Sequence, residues 1–304
     1  MLTRVLVSGA TGFIGSALVR RLRDEGVAVR RLTRRAPEPG WDDARWDPEG
    51  QALDPRALAD VDAVVHLAGE KIDQRWTEAR KRALRESRVR STDLLARAIA
   101  AAPARPRVLV SGSAIGIYGD RGDELLDERS APGDDFLSRL AVDWEAAAAP
   151  AADAGVRVVH PRTGIVLSPR GGALARMLPP FKLGVGGPTG SGRQWFSWIA
   201  LDDMVSALNY ALRSEALRGP MNCTAPSPVR NAEFASALGR ALHRPALVPT
   251  PPFALSLLFG REMVHATLLA SQRAVPRALL DAGYTFRWPE LAGALGAELA
   301  EGAV

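Results

Sequence analysis

Apolar positions along the first half of this chain recur with two alternating periods. Val5-Leu6-Val7 is a short apolar run of the kind that makes a buried strand, and Ala17, Leu18, Val19 and Leu22 then return at helical spacing. Gly26 ends that helix, and Val27 to Leu32 begins a second strand; a third ends near Trp46-Asp47, closed by Pro48 and Gly50. Leu53 to Ala59 predicts a short helix and Val61 to Leu67 a buried fourth strand. A long helix is expected from Gln74 to Ala102, stopped by Pro103, followed by a fifth strand at Val108 to Ser111. A helix over Asp135 to Ala152 and a sixth strand at Val156 to His160 complete the alternation. Strand and helix in turn predict an α/β fold, a Rossmann-type doubly wound parallel sheet.

Beyond Gly164 the pattern changes. Pro and Gly crowd Ser168 to Gly192, which predicts loops folded over a cleft. Asp203 to Leu212 reads as a helix and Met221-Asn222-Cys223 as a short strand returning to the sheet; after Asn231 only short helices between prolines are expected. The expected organisation is a sheet domain over residues 1–165, rejoined by 203–225, and a smaller, mostly helical substrate and lid region over 166–304. The Ala-rich run from Ala146 to Ala154, interrupted by Pro150, reads as surface helix.

The first candidate chemistry lies in the first turn. Ser8-Gly9-Ala10-Thr11-Gly12-Phe13-Ile14-Gly15 follows the first strand and opens the first helix. Glycines there allow a tight turn, a close approach of backbone to a pyrophosphate, and close packing of helix on strand, while free N–H groups at the helix start meet the phosphate charge. Gly9, Thr11, Gly12, Phe13, Ile14 and Gly15 are therefore expected to bind a dinucleotide. The second strand runs out at Thr33-Arg34-Arg35, with no carboxylate before Glu38. An acid there would bind a ribose 2′-hydroxyl; a hydroxyl and two guanidiniums suit a 2′-phosphate instead, so NADP(H) is expected rather than NAD(H).

Composition narrows the class. At 304 residues, 47% hydrophobic and 24% charged, the chain is that of a soluble globular protein with ample core, and no apolar run reaches a membrane span. One cysteine, Cys223, rules out an internal disulfide, and four scattered histidines show no metal-ligand spacing. The chain enters its first strand at once, so a cytoplasmic protein without a signal peptide is expected. A net charge of +5 is a weak field over this length, and only three lysines, at 71, 81 and 182, stand among 39 basic residues. Neither nucleic acid nor membrane is expected as a partner; a small-molecule substrate is, for a monomer or homodimer.

The glycine spacing G-x-x-G-x-x-G, with Ala10-Thr11 and Phe13-Ile14 between, resembles the short-chain dehydrogenase/reductases, in particular their extended branch of epimerases, dehydratases and related reductases. The resemblance implies that Asp47 beside Trp46 caps the adenine and that Leu67-Ala68-Gly69 passes under its ribose. Glu70, just beyond, would reach a ribose hydroxyl or pair with Arg75 or Lys71. Pro161-Arg162-Thr163-Gly164 occupies the turn whose backbone meets the nicotinamide carboxamide.

Members of that group use a Tyr with a Lys four residues later, the Lys lowering the phenol's pKa. Here the residues four beyond the tyrosines are Gly122, Ser214 and Trp288, and the expected helix reads Asp135-Phe136-Leu137-Ser138-Arg139-Leu140 without lysine. Ser111 to Gly119 still resembles the family's strand-five motif, which implies Ser113 beside the substrate oxygen and Tyr118 as the nearby phenol. With no lysine to depress its pKa, that phenol is expected to stay protonated and to act as a donor, favouring reduction. Leu67 to Glu70 with Arg75-Trp76, Gly190 to Trp195 with Ser197-Trp198-Ile199, and Ser271-Gln272-Arg273 with Pro276 extend the likeness nearly end to end. They resemble a branch of the epimerase/dehydratase superfamily that lacks the Tyr-Lys pair and carries a small C-terminal helical domain of unknown function around 250–298. Arg193, Gln194 and Trp195 are expected on the far wall of the substrate cleft. The resulting expectation is an NADP(H)-dependent oxidoreductase or nucleotide-sugar-epimerase-like enzyme of atypical mechanism; the alternative is a non-catalytic NADP(H)-binding redox sensor.

Overall fold

Each apolar run of the first half becomes a strand of one sheet. The computed structural model describes residues 2–301. It opens with β1 (Arg4–Ser8), α1 (Phe13–Asp24), β2 (Ala28–Thr33), β3 (Asp42–Asp47), the short β4 (Ala52–Leu53), β5 (Ala63–His66), α2 (Glu78–Ala101) and β6 (Val108–Ser111). There follow β7 (Ser113–Ala114), a single 3-10 turn at Ile115–Tyr118, β8 (Leu125–Leu126), α3 (Phe136–Ala146), α4 (Ala149–Asp153) and β9 (Arg157–Thr163). The second half carries β10 (Ile165–Ser168), α5 (Gly172–Lys182), β11 (Trp195–Phe196), β12 (Trp198–Ala200), α6 (Leu201–Arg213) and β13 (Gly219–Cys223). It ends with β14 (Val229–Arg230), α7 (Asn231–Ala241), α8 (Pro252–Phe259), α9 (Arg261–Met263), β15 (Arg273–Ala274), α10 (Arg277–Asp281) and α11 (Leu291–Glu301).

The sheet order is β4-β3-β2-β1-β5-β6-β9-β13, parallel throughout except for β4, which turns back on β3. Alternate residues of the central strands face opposite layers. Val5, Val7, Val65 and Val110 pack with Leu18 and Leu22 of α1 and Met204 and Leu208 of α6, whereas Leu6, Val64 and Leu109 pack with Leu95 and Ile99 of α2. The chain leaves β1 towards β2 on one side, and β5 takes the other, so the strand order reverses between β1 and β5. Their carboxyl ends flank the crevice where ligands bind such sheets.

Three local expectations are corrected. The helix expected over 53–59 is absent: Leu53 ends β4 and 55–59 form turns, because Asp54 takes Arg56 N on its side chain and Ala57 N on its carbonyl, closing the chain after three residues. The Gly- and Pro-rich stretch contains α5, which keeps Pro179 and Pro180 inside it. Leu174, Leu178 and Phe181 lie one turn apart and are buried, and that apolar stripe offsets the two missing N–H groups. The helix expected over 135–152 breaks at Ala147-Ala148, with Pro150 in the first turn of α4. Ala148, just before it, and Ala151 within it are buried with Leu95 and Ala96 of α2, while Ala146, Ala149, Ala152 and Asp153 are exposed, so the run is a surface helix resting on α2 through one narrow face.

Candidate active site

The three glycines of the first turn are required for different reasons. Gly9 has φ +67°, and a Cβ there would stand 2.8 Å from the Leu67 carbonyl. A Cβ on Gly15 would lie 2.1 Å from Gly9 O, inside the contact between helix and turn. Gly12 meets only one atom, Gly9 O at 3.1 Å, and is otherwise open. The fold therefore needs Gly9 and Gly15, while the space over Gly12 is free for a ligand. No side chain caps α1 and no acid stands in its first turn, so its positive end is left for an outside anion. Thr11 is exposed and Ile14 half-buried. The Phe13 ring lies against Gly171, where a Cβ would come within 2.7 Å, bringing the start of α5 over the turn.

At the carboxyl end of β2, Thr33 Oγ1 accepts from Arg35 N. Arg34 and Arg35 are exposed, and neither guanidinium has a partner among the described residues. The two arginines just before them are engaged: Arg30 with Asp42, and Arg31 with Asp43 and Glu38. Trp46 is buried edge-on to His66, with ring centroids 5.7 Å apart. Asp47 accepts from Glu49 N and Gly50 N at 3.1 Å, which fixes the turn into β4.

A neutral histidine holds the switch point. His66 is fully buried, its Nδ1 is 2.6 Å from Ser8 Oγ, and its Nε2 is 3.1 Å from Ser91 Oγ. Ser91 donates to Ser87 O, so it accepts from His66 Nε2–H, and Nδ1 accepts from the Ser8 hydroxyl. Ser8 Oγ in turn accepts from Leu67 N at 3.2 Å, and Ala68 N approaches it at 3.4 Å. Burial pushes the His66 pKa down to about 4, consistent with the neutral ring this chain of bonds requires. Gly69 backs onto the half-buried Arg88, whose Nη2 donates to Glu70 O. The Glu70 carboxylate pairs with Arg80 at 3.1 Å rather than with Lys71 or Arg75.

The other half of the cleft is built on β7, α3 and β9. Ser113 Oγ donates to Glu145 Oε1 at 2.6 Å. Arg162 clasps the same carboxylate with two bonds, Nε to Oε1 at 2.8 Å and Nη2 to Oε2 at 2.9 Å. Burial alone would raise the Glu145 pKa, but the hydrogen bonds from Arg162 outweigh it and hold the group below its usual value. Arg162 Nη1 also donates to the Tyr118 hydroxyl, which donates to Asn222 Oδ1 at 2.7 Å. Tyr118 is wholly buried and its pKa is pushed up to about 12. Its proton points at Asn222, so the donor role expected for Tyr118 is not available in this arrangement. Glu128 fixes Asn222 in turn by accepting from its backbone N at 2.9 Å.

Glu145, Glu128 and Asn222 were missed by the reading of the sequence. Glu145 alone left a signal, as the acid following Trp144 on the helix expected to carry the Tyr-Lys pair. Arg193, Gln194 and Trp195 group with the C-terminal segment. Gln194 Nε2 donates to Thr189 O and Leu268 O, and the Trp195 ring lies between Arg230 at 4.1 Å and Arg273 at 4.4 Å. Arg193 is exposed.

A parallel sheet with a glycine turn at its switch point defines a dinucleotide-binding protein of the Rossmann class. The NAD dependent epimerase/dehydratase family matches residues 5–223, and the chain belongs to that family; a domain of unknown function, DUF1731, matches 250–298. An epimerase family protein of Mycobacterium tuberculosis is 47% identical, over 96% of this chain and 96% of its own. The crystal structure of human epimerase family protein SDR39U1 with NADPH matches at TM-score 0.90 and 41% identity, over 98% of this chain and 99% of that one. A nucleoside-diphosphate sugar epimerase from Corynebacterium glutamicum matches at TM-score 0.80 and 40% identity, over 99% of this chain and 59% of that one.

Proposed function

We propose that the protein is an NADP(H)-dependent oxidoreductase or epimerase-like enzyme whose proton transfer runs through Ser113 and Glu145 instead of a Tyr-Lys pair. The observation that carries this reading is the 2.6 Å bond from Ser113 to a carboxylate on the helix where the Tyr-Lys pair was expected. The residues present fit the cofactor. The open space over Gly12 and the uncapped start of α1 suit a pyrophosphate, and the unpartnered Arg34 and Arg35 with Thr33 suit a 2′-phosphate. The human relative crystallised with NADPH supports the same choice. When bound, the nicotinamide supplies or accepts a hydride.

Ser113 directs its proton to Glu145 and keeps its lone pairs for a substrate hydroxyl. As that hydroxyl gives its proton to Ser113, Ser113 passes its own to the Glu145 carboxylate; reduction runs the same transfers backwards once Glu145 has taken up a proton from water. Arg162 holds the carboxylate in place, and Tyr118, Asn222 and Glu128 hold Arg162. In this reading residues 1–165 with 203–225 hold the cofactor, and 166–304 cover the substrate, with Arg193, Gln194 and Trp195 on its far side. The relative named as a nucleoside-diphosphate sugar epimerase supports the epimerase form.

The test is a screen of carbonyl compounds with NADPH and of alcohols with NADP⁺, followed by absorbance. Ser113→Ala and Glu145→Gln should each lower turnover by about 10²–10⁴, with NADPH affinity unchanged. Full turnover in either variant overturns the assignment. The second reading, a non-catalytic NADP(H)-binding sensor, draws support from the engaged Tyr118 phenol. It would show tight NADPH binding with no turnover of any compound.

A further inference from the structure

Helix α8 reads Pro-Phe-Ala-Leu-Ser-Leu-Leu-Phe, apolar on every side but Ser256, and none of its residues is buried. Phe253, Leu257 and Leu258 are 76%, 76% and 70% exposed. The chain reaches α8 along a ribbon in which Val248 N donates to Gly186 O and Thr250 N to Pro188 O. Pro252 then sits against Gly190, where an added Cβ would be 3.2 Å away. That ribbon exposes Leu183, Val185, Leu247 and Val248 as well. Scattered exposed leucines need no explanation, but large apolar side chains gathered on adjoining segments mark a surface that meets something.

Charge decides between the occupants. Between Asp153 and Asp202, and again between Glu233 and Glu262, the sequence contains no Asp or Glu. Both segments of the ribbon, and α8 itself, fall within these acid-free stretches. Cations stand beside them: Arg244 Nε donates to Lys182 O at the edge of the ribbon. Arg240, His243 and Arg244 line a depression of about 480 Å³ next to Leu247. A two-fold dimer through this face would press it against its own copy and bring like charges together. An anionic lipid surface complements it, since apolar side chains enter the acyl boundary while guanidinium and ammonium groups meet headgroup phosphates.

We propose that this face docks on an anionic bilayer, with Phe253, Leu257 and Leu258 entering the interface and Lys182 and Arg244 meeting lipid phosphates. Contact is peripheral, because no helix among the described residues is long and apolar enough to cross a membrane. It goes beyond the expectation, drawn from the lack of an apolar span, that no membrane is a partner. Arg75 Nη2 donates to Leu257 O, which ties α8 to the segment following the Leu67 to Glu70 turn, so docking sets that side of the cleft against the lipid.

Flotation of the full chain with phosphatidylcholine vesicles, with and without about 30% phosphatidylglycerol, tests this. Binding is expected to the anionic vesicles and to fall in high salt. Leu257→Glu combined with Phe253→Glu should weaken it by at least about tenfold, and Lys182→Glu with Arg244→Glu should remove the preference for anionic lipid. None of the four is a residue of the cofactor turn or a partner of Ser113, so NADPH affinity should not change, and the melting temperature should stay at the wild-type value for the Phe253 and Leu257 variant, whose side chains are exposed. Failure of the wild-type chain to float with anionic vesicles overturns the proposal. So does equal binding to neutral vesicles, or a homodimer by light scattering that Leu257→Glu splits.

Discussion

Gly12 and Gly15 are three residues apart, yet the space over one is open and the other is packed into the fold. Gly15→Ala would place a methyl 2.1 Å from Gly9 O, so it should lower the melting temperature sharply or leave the protein insoluble. Gly12→Val should melt close to wild type and lose NADPH in a fluorescence titration, because its side chain fills the space kept for the pyrophosphate. Arg34→Ala should weaken NADPH by about ten- to a hundredfold, the worth of a charge-assisted phosphate contact, while NADH changes little. Equal losses for both cofactors in the titration would exclude a 2′-phosphate role. Tyr118→Phe should cost less activity than Ser113→Ala. It removes the bond to Asn222 and leaves that amide buried, so its main effect should appear in a denaturation curve, at about 1–3 kcal/mol. The glycine turn itself was legible because its form follows from local spacing. Glu145 showed only as an acid on the expected helix, since nothing within that helix reports that Ser113, 32 positions earlier, bonds to it.

Among the elements, the row at the carboxyl ends of β1 and β5 makes stability depend on pH. His66 titrates at about 4 in the folded chain against 6.5 when free. Above pH 6.5 the ring is neutral in both states and contributes no pH dependence. As pH falls from 6.5 towards 4 the unfolded chain takes up a proton that the folded chain refuses, and stability falls by about 1.4 kcal/mol per unit. Between pH 6.5 and 5 the loss from this group is about 2 kcal/mol, and His160, lowered by burial, adds in the same direction. Urea melts at pH 7 and pH 5 should show His66→Gln losing less over that interval than the wild type. The strands and helices of the first half were readable because buried parallel strands are short apolar runs bounded by turns. Helix α5 was hidden because its prolines read as loop, and only Leu174, Leu178 and Phe181 packing into a common core make it a helix.

Over the whole molecule, single hydroxyls join segments far apart in sequence. Ser197 Oγ donates to Gln272 O at 2.6 Å and accepts from Ala274 N at 2.9 Å, which fixes β15 beside β8. Ser197 is buried, so Ser197→Ala strands two backbone groups and should cost about 1–3 kcal/mol in a denaturation experiment. Loosening of the C-terminal segment should follow, read as faster hydrogen exchange at Gln272 to Ala274 than in the wild type. Unchanged stability and exchange would mean that this bridge does not hold the two parts together.

By itself the sequence determined the alternation of strand and helix, the glycine turn and the arginine pair after β2. Each rests on neighbours within a few residues, where period, turn chemistry and charge act directly on the backbone. The tertiary structure decided the rest of the cleft. Ser113, Glu145 and Arg162 lie on three elements, Tyr118 is locked by Asn222 from 104 positions away, and Glu128 reaches that same residue across 94. Burial then sets their protonation, lifting Tyr118 and lowering His66, through desolvation that exists only once the helices have closed over the sheet.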